Sequence, residues 1–387
     1  MISFENTEIP FKDKSNFELN QRLFLYKLIS NPYLVKCGSF FIATAVFLHL
    51  PIKWIIKKTM FYVFCGGETL EECKTTTNKL NQANIKTILD LSSEGKNNEF
   101  SFNFAIDTIC KTIMFAHKND IPFCVVKPTA IARFKLLHKL NSNRYLSDKE
   151  KEELAKTKKR FNIICKKAKE FNVPILFDAE ESWIQTACDT IIEELQKNYN
   201  KKTIIVFNTY QMYRHDRLKY LQQIISNANK ENYKIGVKLV RGAYMEKEKM
   251  RARRKGYICP INKTKEDTDK AFNEALNLCI KNLNSISLFI GSHNEQSCLL
   301  VLDLLKKYNI SCNDKRIFFS QLYGMSDHIS FNLASKGYNV VKYVPYGPIK
   351  EVLPYLIRRA QENTSVAGQT SRELNLIKKE LTRRKTI

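Results

Sequence analysis

Asn339-Val340-Val341-Lys342-Tyr343-Val344-Pro345-Tyr346-Gly347-Pro348 leads into Tyr355-Leu356-Ile357-Arg358-Arg359-Ala360-Gln361-Glu362-Asn363. Residues 339–344 are apolar and β-branched with turn formers behind them, the pattern of a buried strand. Gly347-Pro348 makes a turn, and Pro348 suits the first position of a helix. On that helix Tyr355, Arg358, Arg359 and Glu362 are spaced to share one face. Two adjacent guanidiniums just past a strand end form a clamp for a carboxylate or phosphate. The competing reading is a solvated face with an Arg358–Glu362 pair.

Working outward, short apolar runs alternate with long helical stretches eight times. The runs are 86–91, 122–126, 174–177, 203–207, 235–240, 287–290, 316–319 and 339–344. Most intervals are on the order of 30 residues, the size of a βαβ unit. Buried strands alternating with helices predict a parallel sheet, and eight repeats predict closure into a (β/α)8 barrel. No G-x-G-x-x-G follows the first run, which counts against a dinucleotide-binding Rossmann half. Residues 141–170 and 247–265 read as insertions, and residues 370–384 as a charged final helix. Residues 1–65 read as a helical, rather apolar arm; residues 66–387 read as the barrel with its C-terminal helix. The arm's plain reading is a segment packed on the barrel, and its sharper reading is an interfacial membrane segment.

The chain has 387 residues with 44% hydrophobic content, enough for a large core. Its net charge of +24 is spread along the chain, so attraction to an anionic membrane surface fits better than a nucleic-acid site. The 11 cysteines are scattered without C-x-x-C, which argues against a disulfide framework and a zinc site. No metal site is expected. Residues 1–20 lack the character of a secretory signal or a transit peptide. The apolar run 40–50 is too short to span a bilayer.

Catalytic groups of such barrels sit at the C-terminal ends of strands. Here those ends carry Asp90 and Glu94, then Lys127, then Asp178-Ala179-Glu180-Glu181, then Asn208-Thr209-Tyr210-Gln211. Next come Lys238 to Tyr244, then Ser292-His293-Asn294, then Gln321-Leu322-Tyr323-Gly324-Met325, and Tyr343. Taken singly, Asp178 could be a helix N-cap and His293 a cap or a core histidine. Together they predict a pocket with cations at Lys127, Lys238, Arg241, Arg358 and Arg359 and acids at Asp90, Glu94, Asp178 and Glu180. Such a pocket suits a small anionic substrate bearing an amine, with room for a phosphate-bearing cofactor.

Asp178 to Glu181, Lys238 to Tyr244, Ser292 to Asn294 and residues 343–363 closely resemble proline dehydrogenases, over about residues 61–381. The resemblance implies a distorted barrel whose last helix lies over the strand ends. It also implies FAD-dependent oxidation of L-proline to Δ1-pyrroline-5-carboxylate, with electrons passing to a membrane quinone. Lys127, Asp178, Lys238, Arg358 and Arg359 would form the catalytic set. Lys127, Arg358 and Arg359 would bind the carboxylate, Glu94 would join their polar network, and Tyr244, Leu322, Tyr343 and Tyr355 would wall the ring. FAD would contact Asn208, Lys238, Val240, Arg241, Gly242, His293, Asn294, Gln321 and Glu362, and Met245 stands where relatives stack an aromatic on adenine. A separate pyrroline-5-carboxylate dehydrogenase would take the product. Without a presequence, the cytoplasmic side of a bacterial inner membrane is the expected location, with mitochondria as the alternative. The same chemistry on 4-hydroxyproline is the nearest rival; Tyr343 would crowd a ring hydroxyl. A Schiff-base aldolase using Lys127 or Lys238 and a basic RNA-binding protein are the more distant ones.

Overall fold

Eight parallel strands close a barrel in chain order. They are β1 (Ile85–Leu91), β2 (Phe123–Val126), β3 (Ile175–Phe177), β4 (Val206–Gln211), β5 (Ile235–Val240), β6 (Ile286–Gly291), β7 (Ile317–Leu322) and β8 (Val340–Tyr346). The computed structural model describes residues 2–48, 52–91, 98–365 and 369–386, and no side chain from 361 to 370. The (β/α)8 class expected from the eight runs is the fold observed.

The fourth and seventh strands differ from the sequence expectation. β4 is not 203–207 but Val206–Gln211, and β7 runs on to Leu322. The polar residues that looked like a loop stay in the strand because their side chains find partners. Thr209 Oγ1 donates to the Phe177 carbonyl at 2.7 Å and Gln211 Nε2 to the Glu180 carbonyl at 2.7 Å. Pro348 likewise sits one residue ahead of the helix Ile349–Ser365 rather than inside it. Its carbonyl accepts from the Glu351 and Val352 amides at 2.8 and 3.1 Å, the role of a cap position.

Contacts divide the chain into two compact units, residues 94–320 and residues 1–93 with 321–387. In the first, Phe123 meets Phe207, Phe289 and Phe318 edge-on, with ring centroids 5.4, 5.3 and 4.8 Å away. This aromatic plug fills the interior by the edge-to-face geometry that ring quadrupoles favour.

The second unit joins the N-terminal helices to the last elements of the chain. Leu19, Tyr26, Val35, Phe61 and Phe64 are buried in one cluster with Val352, Leu356, Leu376 and Ile377. A capping box at Ser15 and Glu18 starts the helix Asn16–Ile29. Gly324 follows β7 with φ +78, and a Cβ there would lie 2.2 Å from the Val63 carbonyl oxygen. Its own carbonyl accepts the Tyr26 hydroxyl proton.

A buried charge cluster reinforces the same unit. Asp327 accepts Lys14 at 3.2 Å, Arg22 at 3.1 Å and Lys342 of β8 at 2.9 Å. Burial alone would raise its carboxyl, but the three cations hold it well below the usual carboxylate range. Burial pulls the Lys14 ammonium down to about 8 and lowers that of Lys342. Lys342 Nζ also donates to the Met325 carbonyl at 2.5 Å, so the cluster anchors the turn after β7.

Candidate functional site

In the 94–320 unit, polar side chains follow the ends of β2, β3, β5 and β6. The Asp178 amide donates to the Val126 carbonyl at 2.9 Å, which sets Asp178 beside the backbone that continues into Lys127. Lys238 Nζ donates to Asp178 Oδ1 at 2.5 Å. Register pairs Lys238 with Thr209 of β4 and Phe289 of β6, and its ammonium lies 5.8 Å over the Phe289 ring. The Lys238 side chain is 8% exposed. An ion pair above an aromatic plug is poorly hydrated, so its field acts more strongly than it would in water.

Asp178 is thus a charge partner and not a helix cap. Glu181 takes the N-cap position of the helix Ser182–Tyr199 without a capping side chain. Glu248 instead accepts the Ser182 amide and hydroxyl at 2.6 and 2.7 Å. His293 is no cap either: Asn294 caps the helix Glu295–Lys307 by accepting the Ser297 amide at 2.9 Å, leaving His293 half-buried.

Arg241, just past β5, is held on three sides. It donates to Asp269 at 2.6 Å and to the hydroxyls of Ser292 and Ser297 at 2.9 Å each. Its guanidinium lies 4.3 Å over the Phe272 ring. Burial would raise the Asp269 carboxyl, yet Lys265 and Arg241 together draw it below its ordinary value. The next residue, Gly242, has φ +137, and a Cβ there would meet the Tyr213 ring at 2.5 Å. Only glycine lets the backbone pass this close.

The other expected contacts in this unit are placed less uniformly. The Val240 carbonyl accepts the Met212 amide at 2.8 Å. Tyr244 is half-buried, with Lys247 Nζ 5.8 Å over its ring, and Met245 is exposed. Asn208 turns its amide to Asp189 at 2.9 Å, within a buried network that includes the Arg217–Asp189 pair at 2.6 Å.

Glu180 was read as one acid among several, and it is buried with both carboxylate oxygens engaged. Its Oε2 accepts the Thr129 amide at 2.9 Å and its Oε1 the Thr129 hydroxyl at 2.5 Å. Burial pushes its carboxyl up to about 7. The sequence signal was a second acid two residues past the strand-end aspartate; its partner Thr129 lies 51 residues earlier.

In the other unit Tyr343 is buried on β8 opposite Ile88 of β1, and its carbonyl accepts the Tyr323 amide at 2.9 Å. Leu322 ends β7 and is half-buried, while Gln321 is buried and accepts the Ser330 hydroxyl at 2.8 Å. Asp90 is buried in β1. On the helix Ile349–Ser365, Tyr355 is buried, Arg358 and Arg359 are half-buried, and the Arg359 guanidinium lies 5.4 Å over the Tyr355 ring. The shared face expected for Tyr355 and Arg359 is therefore present. Glu94 lies outside the described residues, as does the side chain of Glu362.

A closed parallel barrel with lysine, aspartate and arginine at its strand ends defines the class as a (β/α)8 enzyme-type barrel. Among known proteins, the family model "Proline dehydrogenase" matches residues 73–372. Proline dehydrogenase 1, mitochondrial, of Dictyostelium discoideum is 36% identical over 382 residues, covering 87% of this chain and 67% of that protein. The hydroxyproline dehydrogenase of Xenopus laevis is 31% identical over 422 residues, covering 99% of this chain and 90% of that protein. The crystal structure of proline utilization A from Bdellovibrio bacteriovorus, inactivated by N-propargylglycine, superposes with a TM-score of 0.74 at 20% identity. It covers 94% of this chain and 36% of that longer one. The chain belongs to the proline dehydrogenase family.

Proposed function

We propose that this chain oxidises L-proline to Δ1-pyrroline-5-carboxylate with FAD and passes the electrons to a membrane quinone. The observation that carries the reading is the part-buried Lys238–Asp178 pair beside the Lys127 turn, in a chain of this family. The donor set suits a flavin. Lys238 offers a cation to a group that becomes anionic on reduction, and Arg241 offers a fixed guanidinium to phosphate. His293 and the close backbone at Gly242 extend the same strand-end row. Bound FAD would supply the hydride acceptor.

Lys127, Arg358 and Arg359 would bind the substrate carboxylate, because a carboxylate accepts a guanidinium fork in a fixed orientation. Tyr244, Leu322, Tyr343 and Tyr355 would wall the ring. A cationic surrounding favours the neutral ring amine over the ammonium, and only the neutral amine readily releases hydride from the adjacent carbon. Asp178 would hold the Lys238 ammonium in place. Because Lys238 is engaged by a carboxylate, it is not presented as the amine nucleophile of an aldolase.

Anaerobic addition of L-proline to the FAD-loaded protein should bleach the flavin absorbance, while D-proline should not. The relative from Xenopus laevis supports a second reading, oxidation of 4-hydroxyproline. The buried Tyr343 ring favours proline, so 4-hydroxyproline should bleach the protein poorly. Equal bleaching by both would give the second reading precedence, and none with either would reject both.

Membrane contact rests on the arm. Phe40 and Phe41 are 76% and 67% exposed and Trp54 is 65% exposed, on a chain with net charge +24. No described helix is long and apolar enough to cross a membrane. Replacing Phe40, Phe41 and Trp54 with serine should weaken sedimentation with anionic vesicles about tenfold or more, since each exposed aromatic can bury on the order of 150 Å² or more. Proline-driven bleaching should be unaltered. Vesicle binding at the unsubstituted level would count against this surface.

A further inference from the structure

We infer that Glu180 is a positioning residue for the proline carboxylate. Its side chain staples the Lys127-Pro128-Thr129 turn behind β2 to the turn behind β3, and so sets where the Lys127 ammonium stands. This rests on the proposed role of Lys127 in binding substrate.

The staple is complete on both sides. Glu180 takes both donors of Thr129, the amide at 2.9 Å and the hydroxyl at 2.5 Å. Its own backbone is fixed in turn: its amide donates to Gln185 Oε1 at 3.1 Å, and its carbonyl accepts Gln211 Nε2 at 2.7 Å. Gln185 is itself held by Asp189 at 2.8 Å. The carboxylate thus stands on a rigid mount, and the turn that carries Lys127 hangs from it. A side chain placed only to fill space would not need two charge-assisted bonds to one residue.

The charged groups around it act in opposite directions. Burial raises the Glu180 carboxyl to about 7; the Thr129 bonds and the Lys127 charge lower it, while Glu181 adds to the rise. Glu181 is paired with Lys247, and the Cys188 thiol nearby is itself pushed up by burial. The ionised form accepts both Thr129 donors, whereas the protonated form gives up part of that capacity. Binding should therefore weaken as pH falls through about 7.

A double-mutant cycle on the FAD-loaded full chain tests this. Lys127→Ala should raise the KM for L-proline. Glu180→Ala should raise KM about tenfold, within the range of coupled neighbours, with kcat at saturating proline and flavin content little changed. In the Lys127→Ala background, Glu180→Ala should have no further effect. Glu180→Gln, which keeps shape and fold, should raise KM less and abolish the loss of kcat/KM below pH 7. Additive effects in the double variant, or an unaltered pH profile in Glu180→Gln, would overturn the inference and leave the role of Lys127 standing. An unchanged KM in Lys127→Ala would remove that role and the inference with it.

Discussion

Asp327→Ala should destabilise the protein by about 3–5 kcal/mol, because it leaves cations buried without their carboxylate. Lys14, Arg22 and Lys342 all converge on Asp327 within 3.2 Å, and Lys342 lies in the centre of β8 with no exposure. Denaturant unfolding of the full chain should show a large drop in the midpoint. Limited proteolysis should show early cleavage of the helix Asn16–Ile29, which loses its Arg22 anchor while Lys14 just ahead of it loses its own. The sign with pH follows from the carboxyl's lowered value. Its contribution is fully present above the unfolded value of about 3.9 and is lost as pH falls through the folded one. The unsubstituted protein should thus lose more stability in strong acid than Asp327→Ala does. A midpoint that does not move would show that the cluster is idle.

Substituting Arg358 or Arg359 with methionine should raise the KM for L-proline about a hundredfold or more, as expected when one partner of a charged, hydrogen-bonded recognition pair is truncated at about 2–5 kcal/mol. Methionine keeps most of the side chain's apolar bulk, so the helix Ile349–Ser365 should stay packed on Leu25, Tyr26 and Val35. Arg359 has a further reason to matter, since it stacks on Tyr355 and orders that proposed ring wall. A neutral inhibitor shaped like the ring but lacking a carboxylate should lose little affinity. If proline KM stays within twofold in both variants, the arginines face something other than the carboxylate.

The eight strands were legible because buried parallel strands write themselves as short apolar runs, and every run became a strand. Their ends were less legible. Thr209 and Gln211 look like loop residues until the carbonyls of Phe177 and Glu180 are seen to accept from them. The strand-end charges were legible as a set but not as partners. Nothing local says that Lys238 pairs with Asp178, 60 residues earlier, since that follows from barrel register. Lys342 was the least readable. A lysine inside an apolar strand suggests an exposed edge, whereas here it is buried against Asp327 and residues from the first turns of the arm. Asn208 adds a partner of the same kind: it lies inside β4, and its amide donates to Asp189, 19 residues earlier.

The pairing of early with late segments has a consequence for synthesis. Thr7 donates to Glu380, 373 positions away, and Arg384 reaches the Phe11 carbonyl. On the ribosome, residues 94–320 can gather their own contacts while the earliest helices still wait for β8 and the final helices. During that wait Leu19, Tyr26 and Phe64, buried in the finished protein, stand in water beside Phe40 and Phe41. A nascent chain in this condition is a natural client for holding chaperones, and slowed translation late in the message should lower the yield of folded protein more than slowing within the middle.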